Sequence, residues 1–236
     1  MELGRDPTFH EIVLPHEKAE IEAAILQAGL ATAALSGQDP YQLLQQPTQN
    51  DENHFDFTLR TAQGEEYLDL MEAAPLQHYG GSYEAVPQVL NVGELAAAVY
   101  ELVLRKNAKY QGIWARPIHL LLYTTDWRLS LPPSVMTLLA HWFRTKSHGF
   151  ATVAYFLPAG VVRPHWCMLF PSTDPELDDI DESQVAQRVA ARIDPSEISK
   201  DSDGTTVLGH VRVDVTNLRN ARLAATGHIE FGEFAK

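Results

Sequence analysis

Residues 117–125 read PIHLLLYTT, a nearly continuous apolar run of strand length. A strand with so little polar surface has to be covered on both faces, as in a sheet sandwiched between helices. That requirement rules out an open sheet with one wet side and asks the rest of the chain for two helical layers. With 236 residues, 45 % of them apolar and 21 % charged, there is enough chain to bury such a core.

The second constraint is the stretch His54 to Ala73, HFDFTLRTAQGEEYLDLMEA, which has the pattern of a β-hairpin. Phe55, Phe57 and Leu59 alternate with polar neighbours, and beyond a turn at Ala62–Glu65, Leu68 and Leu70 alternate with Tyr67, Asp69 and Met71. If the two apolar sets share one buried side, the register also brings Asp56 and Asp69 together on the other. Opposite or diagonal neighbours on paired strands stand about 5 to 8 Å apart, close enough for two carboxylates to hold one divalent cation.

Taken in order, residues 1–14 form an irregular arm. His16 to about Leu35 carry a helical stripe of Ile21, Ile25, Ala28 and Leu35, with Glu17 and Glu20 in the early turns, where carboxylates suit the helix dipole. Either could also serve as a third acid facing the hairpin. A loop covers Gln38–Glu52, and a long connection over Gln77–Asn91 covers the polar side of the hairpin. Asn91 caps a helix to about Asn107, whose apolar stripe Leu95, Val99, Leu102 runs on into Lys106. A lysine in the last turn complements the dipole, and its stem can also reach inward. The 117–125 strand is followed by a helix opened by Pro132-Pro133, a strand at Phe150–Leu157 and another at Val161–Phe170. This order predicts an α/β fold, a mixed β-sheet flanked by helices.

A composition change after residue 173 divides the chain into a core, 1–173, and a C-terminal α+β part, 174–236, which is an appendage or an extension of the sheet. Its expected parts are an acidic link, a helix from Ser183 to Ile193, and strands at Val207–Val215 and Ala221–Phe231. The acids Asp178 to Glu182 read as a solvated cap, and Asp201-Ser202-Asp203-Gly204 lacks the later ligands of a calcium loop. His165 and the single Cys167 share a side of a strand, but no third zinc ligand is suitably spaced, and a structural cysteine suffices.

The net charge of −13 is unevenly spread. Residues 1–110 hold six basic and seventeen acidic side chains, residues 111–173 five and one, and residues 174–236 seven and thirteen. A nucleic acid would therefore have to be met through residues 111–173 or through a bound metal ion. No apolar run is long enough for a membrane span, and the N-terminus lacks the regions of a signal peptide, so a cytoplasmic location with no membrane partner is the expectation.

The order of elements, with Asp56 and Asp69 on the hairpin, resembles the restriction-endonuclease-like, or PD-(D/E)XK, nuclease superfamily. Phe55-Asp56 is similar to its first motif, with Phe in place of Pro. Asp69-Leu70-Met71-Glu72-Ala73 is similar to its second, with Met71 in place of the lysine that orients the attacking water. The resemblance covers about residues 10 to 157. It implies that Asp56 and Asp69 ligate magnesium, that Glu17 or Glu20 is the helical acid some members add, and that Lys106 supplies the missing cation from the next helix. The implied activity is magnesium-dependent hydrolysis of phosphodiester bonds, or descent from an enzyme with that activity. A thioether offers neither charge nor a proton site, so Met71 leaves a pseudoenzyme unless Lys106 reaches Asp69. The rival expectation is a non-catalytic protein whose acidic surface binds a basic protein partner or mimics nucleic acid.

Overall fold

The computed structural model describes residues 14–50, 55–110, 116–158, 164–191, 198–200 and 206–208. The N-terminal arm to residue 13, His54, the Asp201–Gly204 turn, and the expected strands over 209–215 and 221–231 lie outside the described residues. The described elements are α1 (Lys18–Leu35), β1 (Thr48–Gln49), β2 (Phe57–Thr61), β3 (Gly64–Glu72), β4 (Val89–Asn91), α2 (Val92–Ala108), β5 (Ile118–Tyr123), α3 (Pro133–Thr145), β6 (Thr152–Leu157), β7 (His165–Phe170), α4 (Glu182–Ala186), β8 (Val189–Ala191), β9 (Ile198–Lys200) and β10 (Thr206–Leu208). The fold is mixed α/β.

The main sheet has the order β1-β2-β3-β5-β6-β7. Parallel pairing joins β3 to β5 and β5 to β6, while β2–β3 and β6–β7 are antiparallel. The apolar run becomes β5 at the centre, buried along its whole length. Its side chains alternate between two cores. Ile118, Leu120 and Leu122 meet Leu95, Val99 and Val103 of α2 and Val135, Leu138 and Leu139 of α3. Leu121 and Tyr123 meet Ile25, Leu26 and Ala33 of α1.

The hairpin closes through a two-residue turn, Ala62-Gln63, with Gly64 at φ 121°, a backbone state open chiefly to glycine. Phe57 pairs with Leu68, and the same register sets Asp56 opposite Asp69. One expectation about this hairpin is corrected. It has no wet side, because β3 is interior to the sheet and helices cover both faces. Phe55 accordingly leaves the side of Phe57 and Leu59 and stacks on Tyr67 in the opposite core, at a ring separation of 4.4 Å.

The α1 stripe also differs from expectation. Glu22, Ile25, Leu26, Gly29 and Ala33 are buried, whereas Leu35 is 90 % exposed. Gly29 fixes this rotation, since a Cβ there would lie 3.0 Å from the Trp166 ring of β7. In place of a continuous loop over 77–91, two 3-10 turns (Leu76–Tyr79 and Tyr83–Ala85) lead into β4.

Residues 174–191 are not a separate appendage. Their expected helix ends at Ala186, and β8 then pairs antiparallel with β4. Leu177, Val185 and Ala190 belong to the same core as α2 and α3. The acids of the link are tied down as well. Asp178 pairs with Arg144, Asp181 caps Gln184 N, and Glu182 lies 3.6 Å from Lys146 Nζ. Strands β9 and β10 form a hairpin that joins neither other sheet. No helix among the described residues is long and apolar enough to cross a membrane.

Candidate active site

The site forms where β2 stops pairing with β3. In β3 the backbone of even-numbered residues faces β2, so beyond the Phe57–Leu68 pair the N–H and C=O of Leu70 lose their ladder partners. Side chains replace them. Leu70 N donates to Asp56 Oδ2 at 2.6 Å, and Lys106 Nζ donates to the Leu70 carbonyl at 2.5 Å. The same ammonium is 3.0 Å from Asp69 Oδ2. Asp56, Asp69 and Lys106 are thus brought together as the sequence predicts, with Lys106 arriving from the last turn of α2.

Asp69 is buried, at 1 % exposed, and Tyr110 Oη donates to its Oδ2. Tyr110 is itself held by Phe55, at a ring separation of 4.7 Å. Burial pushes the Asp69 carboxyl up to about 7, helped by a hydrogen bond with the Asp56 carboxyl and by the Asp56 charge. Lys106 and the Tyr110 hydroxyl pull the other way. Physically, two acids share a dry corner in which one ammonium only partly offsets their repulsion. A divalent cation would relieve that repulsion and displace the proton.

Glu17, which precedes α1 as its N-cap residue, and Glu20, in its first turn, are both exposed. The acid that α1 buries is Glu22, 6 % exposed and 3.2 Å from Lys18 Nζ. Its carboxyl is raised, first by burial and then by the charge of Asp56, with Lys18 and Lys106 opposing. The correction has a simple cause. The inward stripe is rotated by one residue from the expected one, and Glu22 precedes Ile25 and Leu26 by one helical turn.

Among the described residues no group of three or more His, Cys, Asp and Glu side chains is arranged to hold a metal ion. Two carboxylates with a backbone carbonyl beside them nevertheless suit magnesium, which keeps several waters and commonly takes only one or two protein carboxylates. The donor chemistry therefore fits the implied ion, with Asp56 and Asp69 as its ligands.

The expected basic surface is largely neutralised. In the segment 111–173, Arg116 pairs with Glu65, Arg128 with Asp126 at 2.7 Å, Arg144 with Asp178, and Lys146 with Glu182. Arg163 and residues 111–115 lie outside the described residues. The acids that neutralise this segment mostly come from parts of the chain distant in sequence, which a local charge count does not register.

The wall of the site toward α1 holds groups the sequence reading passed over. Glu72 ends β3, and its Oε1 accepts from Tyr83 Oη at 2.7 Å and from the Thr125 hydroxyl. Tyr123, its partner in β5, is 8 % exposed. Tyr110 had a legible signal, one helical turn past Lys106; Tyr123 had none beyond its place at the end of the buried strand. Comparison with known proteins finds no match, whether to a family model, a curated protein or a solved structure.

Proposed function

We propose that the chain is a magnesium-dependent phosphodiester hydrolase with a restriction-endonuclease-like core, or an inactivated relative of one. The observation that carries this reading is Lys106 Nζ, 3.0 Å from Asp69 Oδ2, which supplies the cation that Met71 cannot. Asp56 and Asp69 would hold the metal, which when bound supplies Lewis-acid polarisation of a phosphoryl oxygen and of water. Lys106 is placed to stabilise negative charge developing beside Asp69, and Tyr110 fixes the orientation of the Asp69 carboxylate. Glu22 adds the helical acid.

The test joins binding to turnover. Magnesium or manganese should raise the Tm of the wild type and leave that of Asp69→Asn unchanged. With metal, the wild type should cleave a phosphodiester such as bis(p-nitrophenyl) phosphate or an oligonucleotide, and Lys106→Met should lose at least 100-fold in kcat. A metal-induced Tm rise with no cleavage identifies the inactivated relative. Neither a rise nor cleavage defeats the reading.

A second reading is favoured by the pairing of Arg116, Arg128, Arg144 and Lys146 with carboxylates. A chain of net charge −13 whose described cations in 111–173 are paired with carboxylates suits a basic protein partner better than a phosphate backbone. Salt-sensitive binding to a basic protein, without metal dependence, is its expected signature.

A further inference from the structure

Lys106 already behaves as a bound cation. Its ammonium, on a side chain 17 % exposed, holds two oxygens of β3 at once, the Leu70 carbonyl at 2.5 Å and Asp69 Oδ2 at 3.0 Å. Both are oxygens that a divalent cation seeks, since the carbonyl has lost its ladder partner and the carboxylate is one of the two that would ligate the ion. Asp69 Oδ2 has no room for a further partner. A carboxylate oxygen presents about two lone-pair directions, and Lys106 Nζ takes one and Tyr110 Oη the other. Asp56 is committed as well, with its Oδ2 accepting from Leu70 N at 2.6 Å.

An ammonium is a donor without a lone pair, so it cannot ligate a metal ion and repels one that approaches the same oxygens. One of the two donors on Asp69 Oδ2 has then to leave. Tyr110 is buried, at 8 % exposed, and its ring packs against Phe55 at 4.7 Å. Lys106 stands in the last turn of α2 on a flexible stem, from which its charged end can reach water. Resting on the hydrolase reading above, we infer that Lys106 is a built-in occupant of the metal position, and that a divalent cation binds by exchange with its ammonium at Asp69 Oδ2 and the Leu70 carbonyl. The exchange has a consequence for turnover. Held on two protein oxygens, the ammonium is spent; released from them, it is free to meet the negative charge that develops on a phosphoryl oxygen. Lys106 is thereby armed only when the cation has taken its place.

The experiment uses the full chain, manganese and propylammonium, read by calorimetry and by Tm without turnover. Lys106→Ala should bind manganese about tenfold or more tighter than the wild type. Arg105→Ala removes the same charge from the same turn, but from an exposed side chain paired with Glu101, and should change the affinity by no more than about twofold. Propylammonium restores the atoms that Lys106→Ala lacks. It should raise the Tm of that variant and not of the wild type, and should raise the variant's apparent manganese Kd in proportion to its concentration. Tetramethylammonium at equal ionic strength should do neither. Manganese binding in Lys106→Ala no tighter than in Arg105→Ala overturns the exchange. So does a propylammonium effect on the manganese Kd that is absent or that saturates, since a saturating effect means that both cations fit together. Each of these results leaves the hydrolase reading standing. Failure of both the wild type and Lys106→Ala to bind manganese removes the metal site, and with it the exchange and the hydrolase reading alike. Should Lys106→Ala not fold, Lys106→Gln, which removes the charge and keeps a donor for the Leu70 carbonyl, is judged against Arg105→Ala by the same measure.

Discussion

Strand β3 carries two buried acids with basic partners, three residues apart and on opposite faces. Glu66 Oε2 is 2.7 Å from His119 Nε2, and the other ring nitrogen of His119 is 2.9 Å from Thr152 Oγ1. Asp69 Oδ2 is 3.0 Å from Lys106 Nζ. The first cluster sits where β2, β3, β5 and β6 are all paired, and its network is closed from acid to imidazole to hydroxyl. The second sits where β2 has left the sheet, so side chains do the work of backbone partners and two carboxyls are forced together. Burial drives the His119 imidazole down, toward a neutral ring that is one link in a chain of hydrogen bonds. Burial drives the Asp69 carboxyl up, in a corner that still wants positive charge. A finished ladder yields structure; a broken one leaves a site.

The largest expected effect that tests this contrast comes from Lys106→Met. Asp69 in the fold has its pKa above its unfolded value, so its ionisation opposes folding and stability falls as pH rises from about 4 to 7. Without Lys106 that pKa climbs further. The cost of the substitution should be small and flat below pH 7 and grow above it, by up to about 2 kcal/mol at pH 8.5. Urea denaturation at pH 5.5 and 8.5 measures it; an equal cost at both would remove the claim that Lys106 holds the Asp69 charge.

Next in size is His119→Phe, which leaves Glu66 buried without its partner. A loss of about 2 kcal/mol is expected, with the metal-induced Tm rise and any hydrolysis unchanged. If activity falls while the folded fraction does not, the two clusters are not separate.

Metal affinity supplies a third, smaller effect. Cation binding has to displace the proton held at Asp69, so affinity should rise about tenfold per pH unit below 7 and level off above. Calorimetric titration with manganese from pH 5.5 to 8 checks this, and a flat profile would place the ion elsewhere. The smallest effect is expected from Met71→Lys, because Lys106 already supplies the ammonium. Turnover should stay within about threefold of the wild type, and a large gain would mean that Lys106 does not play that part.

Much of this molecule can be read from the amino-acid order. Periodicity in 54–73 and 117–125 sets the hairpin, its register and the central strand, because both signals are local and a shift by one residue would move every side chain to the other face of the sheet. Lys106 stands out in the sequence for the same reason, as a charge continuing an apolar stripe. The choice of Glu22 over Glu17 and Glu20 depends on the rotation of α1, which Gly29 fixes against Trp166 across the sheet. The neutralised arginines of 111–173 and the docking of 174–191 beside α2 are likewise tertiary facts. Each depends on segments tens of residues apart, and the energy that selects one partner over another exists only after the sheet has formed.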